Sequence, residues 1–207
     1  MGDDLTVCNA ARVSFGKKSE WDPDWRDDHY EPLLPADSRL IKYLAKHKHT
    51  SPFGHAFASF HVKAPIFVAR QLVKHKFLRW NEISRRYVDK EPEFYVPEVW
   101  RGRSADKKQG SEGVWEPNYA IDGSMGQLKD LYDQMIYDGC APEQARMVLP
   151  QSTYTEWWWS GSLDAWADMA RLRCKPDAQA ETREIADQIS EVMRGLFPCS
   201  WTALMES

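Results

Sequence analysis

The sequence lacks the patterns that mark membrane and exported proteins. None of its apolar runs approaches the roughly 20 residues that a membrane-spanning helix needs, and no charged segment followed by an apolar one opens the chain. Cysteine is scarce, and Cys8, Cys140, Cys174 and Cys199 form neither a CxxC pair nor the spacing of a zinc site. We therefore expect a cytoplasmic protein whose cysteines are reduced and mostly buried.

The common catalytic and nucleotide-binding loops are absent as well. The 207 residues contain no P-loop, GxGxxG turn, GxSxG elbow or HExxH pair, so any cofactor must be held in another way. His47, His49, His55 and His61 lie close together, but no carboxylate cluster accompanies them, which makes a catalytic metal the weaker interpretation. Cys199 has no His or Lys nearby in sequence to lower its pKa, so we expect a structural thiol.

Positive charge is in deficit overall but concentrated in one place. The formal net charge of −4 argues weakly against a general nucleic-acid binder. Residues 20–37 hold seven acids and one Arg, whereas residues 61–90 hold eight Lys or Arg and two acids. Residues 74–87, KHKFLRWNEISRRY, are called the basic segment below. Their cations and interleaved rings indicate either a groove for single-stranded nucleic acid or a pocket for small phosphorylated aromatic molecules.

The composition and periodicity are those of a globular α+β protein. The chain is 43% hydrophobic and 28% charged, and its length suits one domain over residues 1–207. We expect Asp37 or Ser38 to cap the second helix and Pro65 to open the third. Residues 16–36, 74–87 and 100–118 are expected to be loops. The spacing predicts helices over 5–15, 39–49, 66–76, 124–138, 142–149, 162–174 and 177–197, and strands over 56–64 and 153–159, which together make a small sheet flanked by helices.

Several polar residues of the predicted helices are candidates for a binding site. Gln71, Lys74 and His75 stand at helical positions i, i+3 and i+4, so they are expected to share one face that leads into the basic segment. Arg146 and Arg173 lie in other helices, where an Arg is usually a solvated or ion-paired group. Taken with the basic segment, these two would complete a bidentate grip on a phosphate or a ring carbonyl.

A series of short motifs runs in order along the chain. Between the motifs at 60–71 and 93–97, Lys74-His75-Lys76 is followed after seven residues by Ser84. This stretch corresponds to a known signature that reads Arg-His-Arg, then seven residues, then Ser. The chain therefore resembles the flavin-dependent thymidylate synthases over nearly its whole length. The other motifs are AARVSF (10–15), HTSPFGH (49–55), FHVKAPIFVARQ (60–71), EFYVP (93–97), ARMVLP (145–150) and LRCKPDAQAE (172–181).

The resemblance implies a homotetramer in which several subunits build each site around bound FAD. It implies methylation of dUMP to dTMP, with methylenetetrahydrofolate as carbon donor and NADPH as the reductant of the flavin. It also implies catalysis without a cysteine nucleophile and without a membrane or nucleic-acid partner. Arg173 would be the catalytic residue, because its counterpart in the family polarises the uracil ring and favours ionisation at N3.

The resemblance also assigns binding residues, position by position. Arg86 and Arg146, with the backbone of residues 84–86, would hold the nucleotide phosphate. The residues expected to contact dUMP are Gln71, Lys74, Glu82, Ser84, Arg85, Arg86, Arg146 and Arg173. The residues expected along FAD are His49, Ser51, Lys74, His75, Lys76, Phe77, Asn81, Glu82, Asp168, Leu172, Arg173 and Asp177. No metal is expected.

The chain departs from the family pattern in ways that bear on its substrate. Both arginines of the signature are lysines, Lys74 and Lys76, and lysine keeps the charge but lacks the planar fork of a guanidinium. A related reaction on another pyrimidine nucleotide, such as methylation or hydroxymethylation of dCMP, therefore stays an alternative. So do single-stranded nucleic-acid binding and a histidine-based metallohydrolase. The other departures are Arg85, Ser162, Asp164 and Asp177.

Overall fold

Helices and two small antiparallel sheets make up the fold. The computed structural model describes residues 1–23, 33–88, 90–105 and 110–207. Its helices are α1 (Asp4–Arg12), α2 (Pro35–Lys46), α3 (Ile66–Leu72), α4 (Asp122–Tyr137), α5 (Pro142–Ala145), α6 (Leu163–Arg173), α7 (Ala180–Leu196) and α8 (Pro198–Met205). Its strands are β1 (Phe57–Pro65), β2 (Leu78–Glu82), β3 (Arg101–Arg103), β4 (Ser111–Val114) and β5 (Tyr154–Ser162). The predicted single-domain α+β class is confirmed, and no helix of these ranges is long and apolar enough to cross a membrane.

A three-stranded antiparallel sheet of order β1-β5-β2 forms the centre of the fold. The central strand β5 pairs along its whole length with β1. On its other edge it pairs with β2, where Leu78 lies opposite Gly161 and Glu82 lies opposite Trp157. Because side chains alternate along a strand, β5 buries every second residue, including Trp157 and Trp159. The basic segment is thereby attached to the core of the molecule.

Gly161 sets how closely β2 approaches β5. A Cβ atom at this position would lie within 3.0 Å of Leu78 Cδ2 and 3.0 Å from the carbonyl oxygen of Phe77. A glycine within a strand often marks such a close approach of a second backbone. Any larger residue at position 161 would therefore push the basic segment away from the sheet.

Buried tryptophans fill the space between the sheet and α6. Trp157, Trp159 and Trp166 are almost completely buried. The rings of Trp159 and Trp166 meet edge to face with centroids 4.8 Å apart, and Trp80 of β2 stacks on Trp157 at 4.3 Å. The Trp166 Nε1–H donates to the carbonyl oxygen of Gly161 at 3.1 Å, which satisfies its buried polar atom.

Helix α2 begins earlier than the sequence predicts. Pro35 occupies its first turn, where a fixed φ and a missing N–H are tolerated. Asp37 lies inside this turn, fully buried, and accepts hydrogen bonds from the Arg12 guanidinium and from Ser19 Oγ at 2.9 Å. The prediction that Asp37 or Ser38 caps the helix is therefore wrong, because a partner distant in sequence takes the carboxylate.

Two segments predicted as loops contain strands. Helix α3 ends at Leu72, so the helical spacing that placed Gln71, Lys74 and His75 on one face does not hold. Residues 78–82 form β2, and residues 100–118 contain the antiparallel pair β3 and β4. For β2, pairing with the distant strand β5 decides strand formation, and its charged residues obscure the strand pattern in the sequence. The prediction also misses α8, and of the loop predicted at 16–36, residues 24–32 lie outside the described residues.

Candidate active site

The C-terminal ends of α3 and α6 bring three predicted site residues together. Arg173, the last residue of α6, donates from Nε to His75 Nε2 at 3.0 Å. Its Nη1 donates to Gln71 Oε1 at 3.3 Å, and its Nη2 donates to the Gln71 carbonyl oxygen at 3.0 Å. Hydrogen bonds from three nitrogens hold a planar guanidinium in one orientation. The charge of Arg173 is therefore fixed in place by the protein itself.

His75 is neutral at physiological pH. Burial, together with the nearby charge of Arg173, lowers the pKa of His75 from 6.5 to about 4. Because Nε2 accepts the hydrogen bond from Arg173, the proton of the neutral ring resides on Nδ1. Burial also lowers the pKa of Arg173, but a guanidinium stays protonated in proteins. The cluster thus presents one positive charge oriented by a neutral acceptor.

A cavity of about 960 Å³ lies beside this cluster. Its volume is near the upper end for a small-molecule site, and its lining combines a few polar groups with aromatic surface, as such sites usually do. The aromatic wall comes from Phe67, Tyr95 and Trp100. The predicted site residues that line it are Gln71, Lys74, Leu172, Arg173 and Asp177.

An ion pair that the sequence analysis misses closes one wall of this cavity. Arg101 of β3 contacts Glu181 of α7, and Tyr95 Oη donates to Glu181 Oε1 at 3.4 Å. Burial alone would raise the pKa of Glu181, but hydrogen bonds from its own backbone amide, Arg101 and Gln179 bring it below the ordinary value. The only sequence signal was the place of Glu181 at the end of the motif at 172–181.

Three of the residues predicted to contact dUMP lie around a different, smaller pocket of about 200 Å³. Glu82, Arg85 and Arg146 line it. Glu82 accepts hydrogen bonds from Trp80 Nε1 and from a threonine hydroxyl of β5, which hold both of its oxygens. Arg85 donates to a backbone carbonyl at 2.8 Å, and Arg146 is exposed. Their guanidinium groups are therefore available at the surface of one chain, away from the lining of the larger cavity.

Ser84 and Arg86 form a small unit of their own beside that pocket. Ser84 Oγ accepts from both the backbone amide and the Nε of Arg86 at 3.3 Å. The Arg86 guanidinium lies 4.8 Å from the ring centroid of Tyr87, in a cation–π arrangement. Arg86 is exposed and is not paired with an acid among the described residues. The unit is thus a free cation at the end of the basic segment.

Two predicted FAD residues line a third pocket, of about 230 Å³. His49 and Asp168 share it with Arg171, whose Nη1 donates to Asp168 Oδ1 at 2.8 Å. Ser51 lies in the 3₁₀ turn that precedes β1 and is exposed. Asn81 is exposed on β2. The predicted FAD residues therefore lie on several surfaces of one chain and are not enclosed by it.

Comparison with known proteins places the chain in a family. Residues 1–199 match the family model described as thymidylate synthase complementing protein. A flavin-dependent thymidylate synthase of Thermus thermophilus is 40% identical over 209 residues, which cover 100% of this chain and 73% of that protein. The enzyme of the same description from Treponema denticola is 37% identical over 96% of this chain and 73% of its own length. The chain belongs to the flavin-dependent thymidylate synthase family.

Solved structures agree with this assignment to the flavin-dependent thymidylate synthases. The UMP/dUMP methylase PolB from Streptomyces cacaoi, bound with 5-Br UMP, is 28% identical with a TM-score of 0.77, covering 99% of this chain and 89% of PolB. The same enzyme bound with 5-Br dUMP gives a TM-score of 0.78. The resemblance inferred from the motifs is thus confirmed, and with it an FAD-dependent enzyme.

The residues at the tip that joins α3 to β2 fit the FAD of a flavin-dependent thymidylate synthase. Lys74 and Lys76 are exposed, and neither is paired with an acid within the part of the chain that the structure describes. Phe77 between them and β2 is 80% exposed and has a φ of 64°, a left-handed conformation that is uncommon for a bulky residue. Free cations suit a pyrophosphate, and an exposed ring suits a flat heterocycle.

Three cysteines of this family member, Cys8, Cys174 and Cys199, are poor nucleophiles. Burial raises the pKa of Cys8 and of Cys174 to about 12 and also raises that of Cys199. All four cysteines are free. Over the described ranges, no group of three or more His, Cys, Asp or Glu side chains is arranged to hold a metal ion. His61 contacts Glu156 at 3.4 Å, and the His47 ring lies 4.3 Å from the Tyr43 ring.

Proposed function

We propose that the protein converts dUMP to dTMP, with methylenetetrahydrofolate as carbon donor and NADPH as reductant. The observation that carries the proposal is the Arg173 guanidinium held by His75 and Gln71 at the wall of the large cavity. The relatives described as thymidylate synthases, and the nucleotide analogues bound to PolB, support the choice of a uridine nucleotide. FAD would supply the redox chemistry that completes the methyl group.

Arg173 is proposed as the catalytic residue. C5 of uracil is a weak nucleophile unless negative charge builds up on the ring. A guanidinium at the ring oxygen and N3 stabilises that charge, and one fixed in advance needs no reorganisation during the reaction. The neutral ring of His75 holds this guanidinium by accepting a hydrogen bond from Arg173 Nε. A protonated His75 ring could not accept this bond and would repel the guanidinium.

The remaining predicted residues are proposed as the walls of a site shared between subunits of a homotetramer. Arg86 and Arg146 would bind the nucleotide phosphate with Ser84 and Arg85, and Glu82 and Lys74 would complete the nucleotide pocket. Glu82, Arg85 and Arg146 line a smaller pocket of the same chain, whereas Lys74 lines the cavity of Arg173, and this separation supports a site completed by a second copy. The proposed FAD residues are His49, Ser51, Lys74, His75, Lys76, Phe77, Asn81, Glu82, Asp168, Leu172, Arg173 and Asp177.

Release of tritium from C5 tests the reaction. The FAD-loaded protein, given methylenetetrahydrofolate and NADPH, is expected to release tritium from 5-labelled dUMP and not from 5-labelled dCMP. Arg173→Ala is expected to reduce the rate by about 10²–10³, the usual effect of removing a group that stabilises developing charge. Arg194→Ala, an exposed arginine near the end of α7, is the matched control and should retain full activity. Absence of release from dUMP would contradict the proposed substrate.

Subunit mixing tests the shared site. Arg173→Ala and Arg146→Ala are each expected to lose most of the activity, but a refolded mixture should recover part of it, because some sites then receive both arginines from different chains. If both arginines came from one chain, every chain in the mixture would still lack one of them. Mixtures without recovery would therefore contradict a site shared in this way.

A further inference from the structure

A continuous chain of hydrogen bonds runs from Arg173 along the cavity wall to the β3–β4 sheet. Gln71, which accepts from Arg173, donates from Nε2 to Gln179 Oε1. Gln179 donates from Nε2 to Glu181 Oε2 at 3.1 Å. Arg101 donates to the other carboxylate oxygen, and its Nε donates to a serine hydroxyl of β4 at 2.8 Å. All the side chains from Arg173 to Arg101 line the same cavity.

The chemistry of the two ends dictates the direction of every bond between them. A carboxylate can only accept hydrogen bonds, and a guanidinium can only donate them, whereas a glutamine amide can present either its oxygen or its NH2. Because Glu181 can only accept, Gln179 must direct its NH2 group toward Glu181 and its oxygen toward Gln71. Gln71 must then offer its NH2 to Gln179 and its oxygen to Arg173. Glu181 at one end and Arg173 at the other thus fix the orientation of the two amides between them.

Glu181 is well placed to do this. Its side chain is only 10% exposed, and hydrogen bonds hold both of its oxygens. The lowered pKa of the carboxyl keeps it ionised at neutral pH. Partly buried charged networks of this kind are stronger than exposed pairs, and they lose most when one member is neutralised.

We infer that Glu181 is a positioning residue that fixes the amide of Gln71 and the guanidinium of Arg173 for recognition of the uracil ring. The inference rests on the proposed function, in which Gln71 and Arg173 contact the base. Uracil and cytosine differ in the donor and acceptor pattern at N3 and at the exocyclic group on C4. A pocket whose amide cannot flip distinguishes the two patterns, and a pocket whose amide is free to flip accepts both more nearly equally.

Calorimetric titration of the FAD-loaded protein with dUMP and with dCMP tests the inference. Glu181→Gln is expected to weaken dUMP binding about tenfold, since one charge-assisted contact is lost. It should also bring the dissociation constants for dUMP and dCMP closer together. Glu181→Asp keeps an acceptor-only carboxylate and should retain the ratio. Glu191→Gln, an exposed glutamate of the same helix, should bind as the unchanged protein does.

A second variant separates positioning from folding. Gln179→Met breaks the chain of amides but leaves the contacts of Glu181 with Arg101 and Tyr95, so it is expected to weaken dUMP binding as Glu181→Gln does. If Gln179→Met binds normally while Glu181→Gln does not, the effect comes from the ion pair and the inference is overturned. In a Gln71→Ala background, Glu181→Gln should add less than a factor of about two, because the residue through which it acts is gone. If the two substitutions weaken dUMP binding additively, the inference is also refuted.

The same titrations separate this inference from the proposed function. If the unchanged protein binds dUMP and Glu181→Gln binds it equally well, only the role of Glu181 is refuted. If the unchanged protein neither binds dUMP nor releases tritium from it, the proposed function fails, and the positioning role falls with it.

Discussion

Replacement of Gly161 by alanine is the sharpest test of how the basic segment is attached to the core. The added Cβ would meet Leu78 Cδ2 within 3.0 Å and the Phe77 carbonyl oxygen at 3.0 Å. The leucine methyl group can rotate away, but the carbonyl belongs to the backbone of the segment, so the strands themselves must separate by a few tenths of an ångström. Overpacking of this kind costs about 1–3 kcal/mol.

Thermal unfolding at one fixed protein concentration measures this cost. For a chain of this length, about 2–4 °C is lost per kcal/mol, so Tm of Gly161→Ala is expected to fall by about 2–12 °C. Gly195→Ala is the matched control: Gly195 lies within α7 with no atom in reach of an added Cβ, and alanine there should stabilise by about 0.5–1 kcal/mol. A Tm of Gly161→Ala equal to that of the parent would refute the close-approach reasoning.

Further predictions concern charge and catalysis. Arg173→Lys should retain less than about a tenth of the tritium-release rate, because lysine cannot make the three-nitrogen contact; full activity would contradict the role of the planar group. Folded His75 has a pKa of about 4 against 6.5 ordinarily, so the unfolded chain binds more protons between these values. In denaturant titrations, the free energy of unfolding should therefore decrease as the pH is lowered from 6.5 to 4. The decrease should be smaller in His75→Gln, which lacks the titrating ring. Arg12→Met leaves the carboxylate of Asp37 buried without its cation and should lower the free energy of unfolding by about 3–5 kcal/mol, whereas an unchanged free energy of unfolding would contradict a stabilising role of this ion pair. Cys199→Ser should retain the tritium-release rate, and its loss would contradict a mechanism without thiols.

The sequence was informative where local pattern and long-range packing agree. The alternation of residues 153–159 and the helical spacing that follows predict β5 and α6 correctly, because these elements are buried and their periodicity reflects that burial. The strand β2 was missed because its five residues carry an arginine and a glutamate, and only the pairing with β5 reveals their alternation. Helix α8 was missed for a different reason: it is a short apolar stretch that directly follows α7 and shows no helical alternation of its own.

The site was predictable in part, for a similar reason. Motif resemblance named Gln71, His75 and Arg173, which the fold brings into hydrogen-bonding contact although about a hundred residues separate them. It did not name Arg101 or Glu181, because nothing local indicates that two opposite charges 80 residues apart form a pair. Pairings of this kind depend on the tertiary fold.

The tryptophan rings packed between the sheet and α6 provide an intrinsic fluorescence probe of the candidate site. The Trp159 ring lies 6.5 Å from the imidazole of His75 and continues through edge-to-face contact to Trp166. Ultraviolet emission from this column therefore originates one residue away from the Arg173 guanidinium. Quenching of that emission would follow the arrival of a flavin or a nucleotide without any attached dye, so that occupancy is readable in the unlabelled protein.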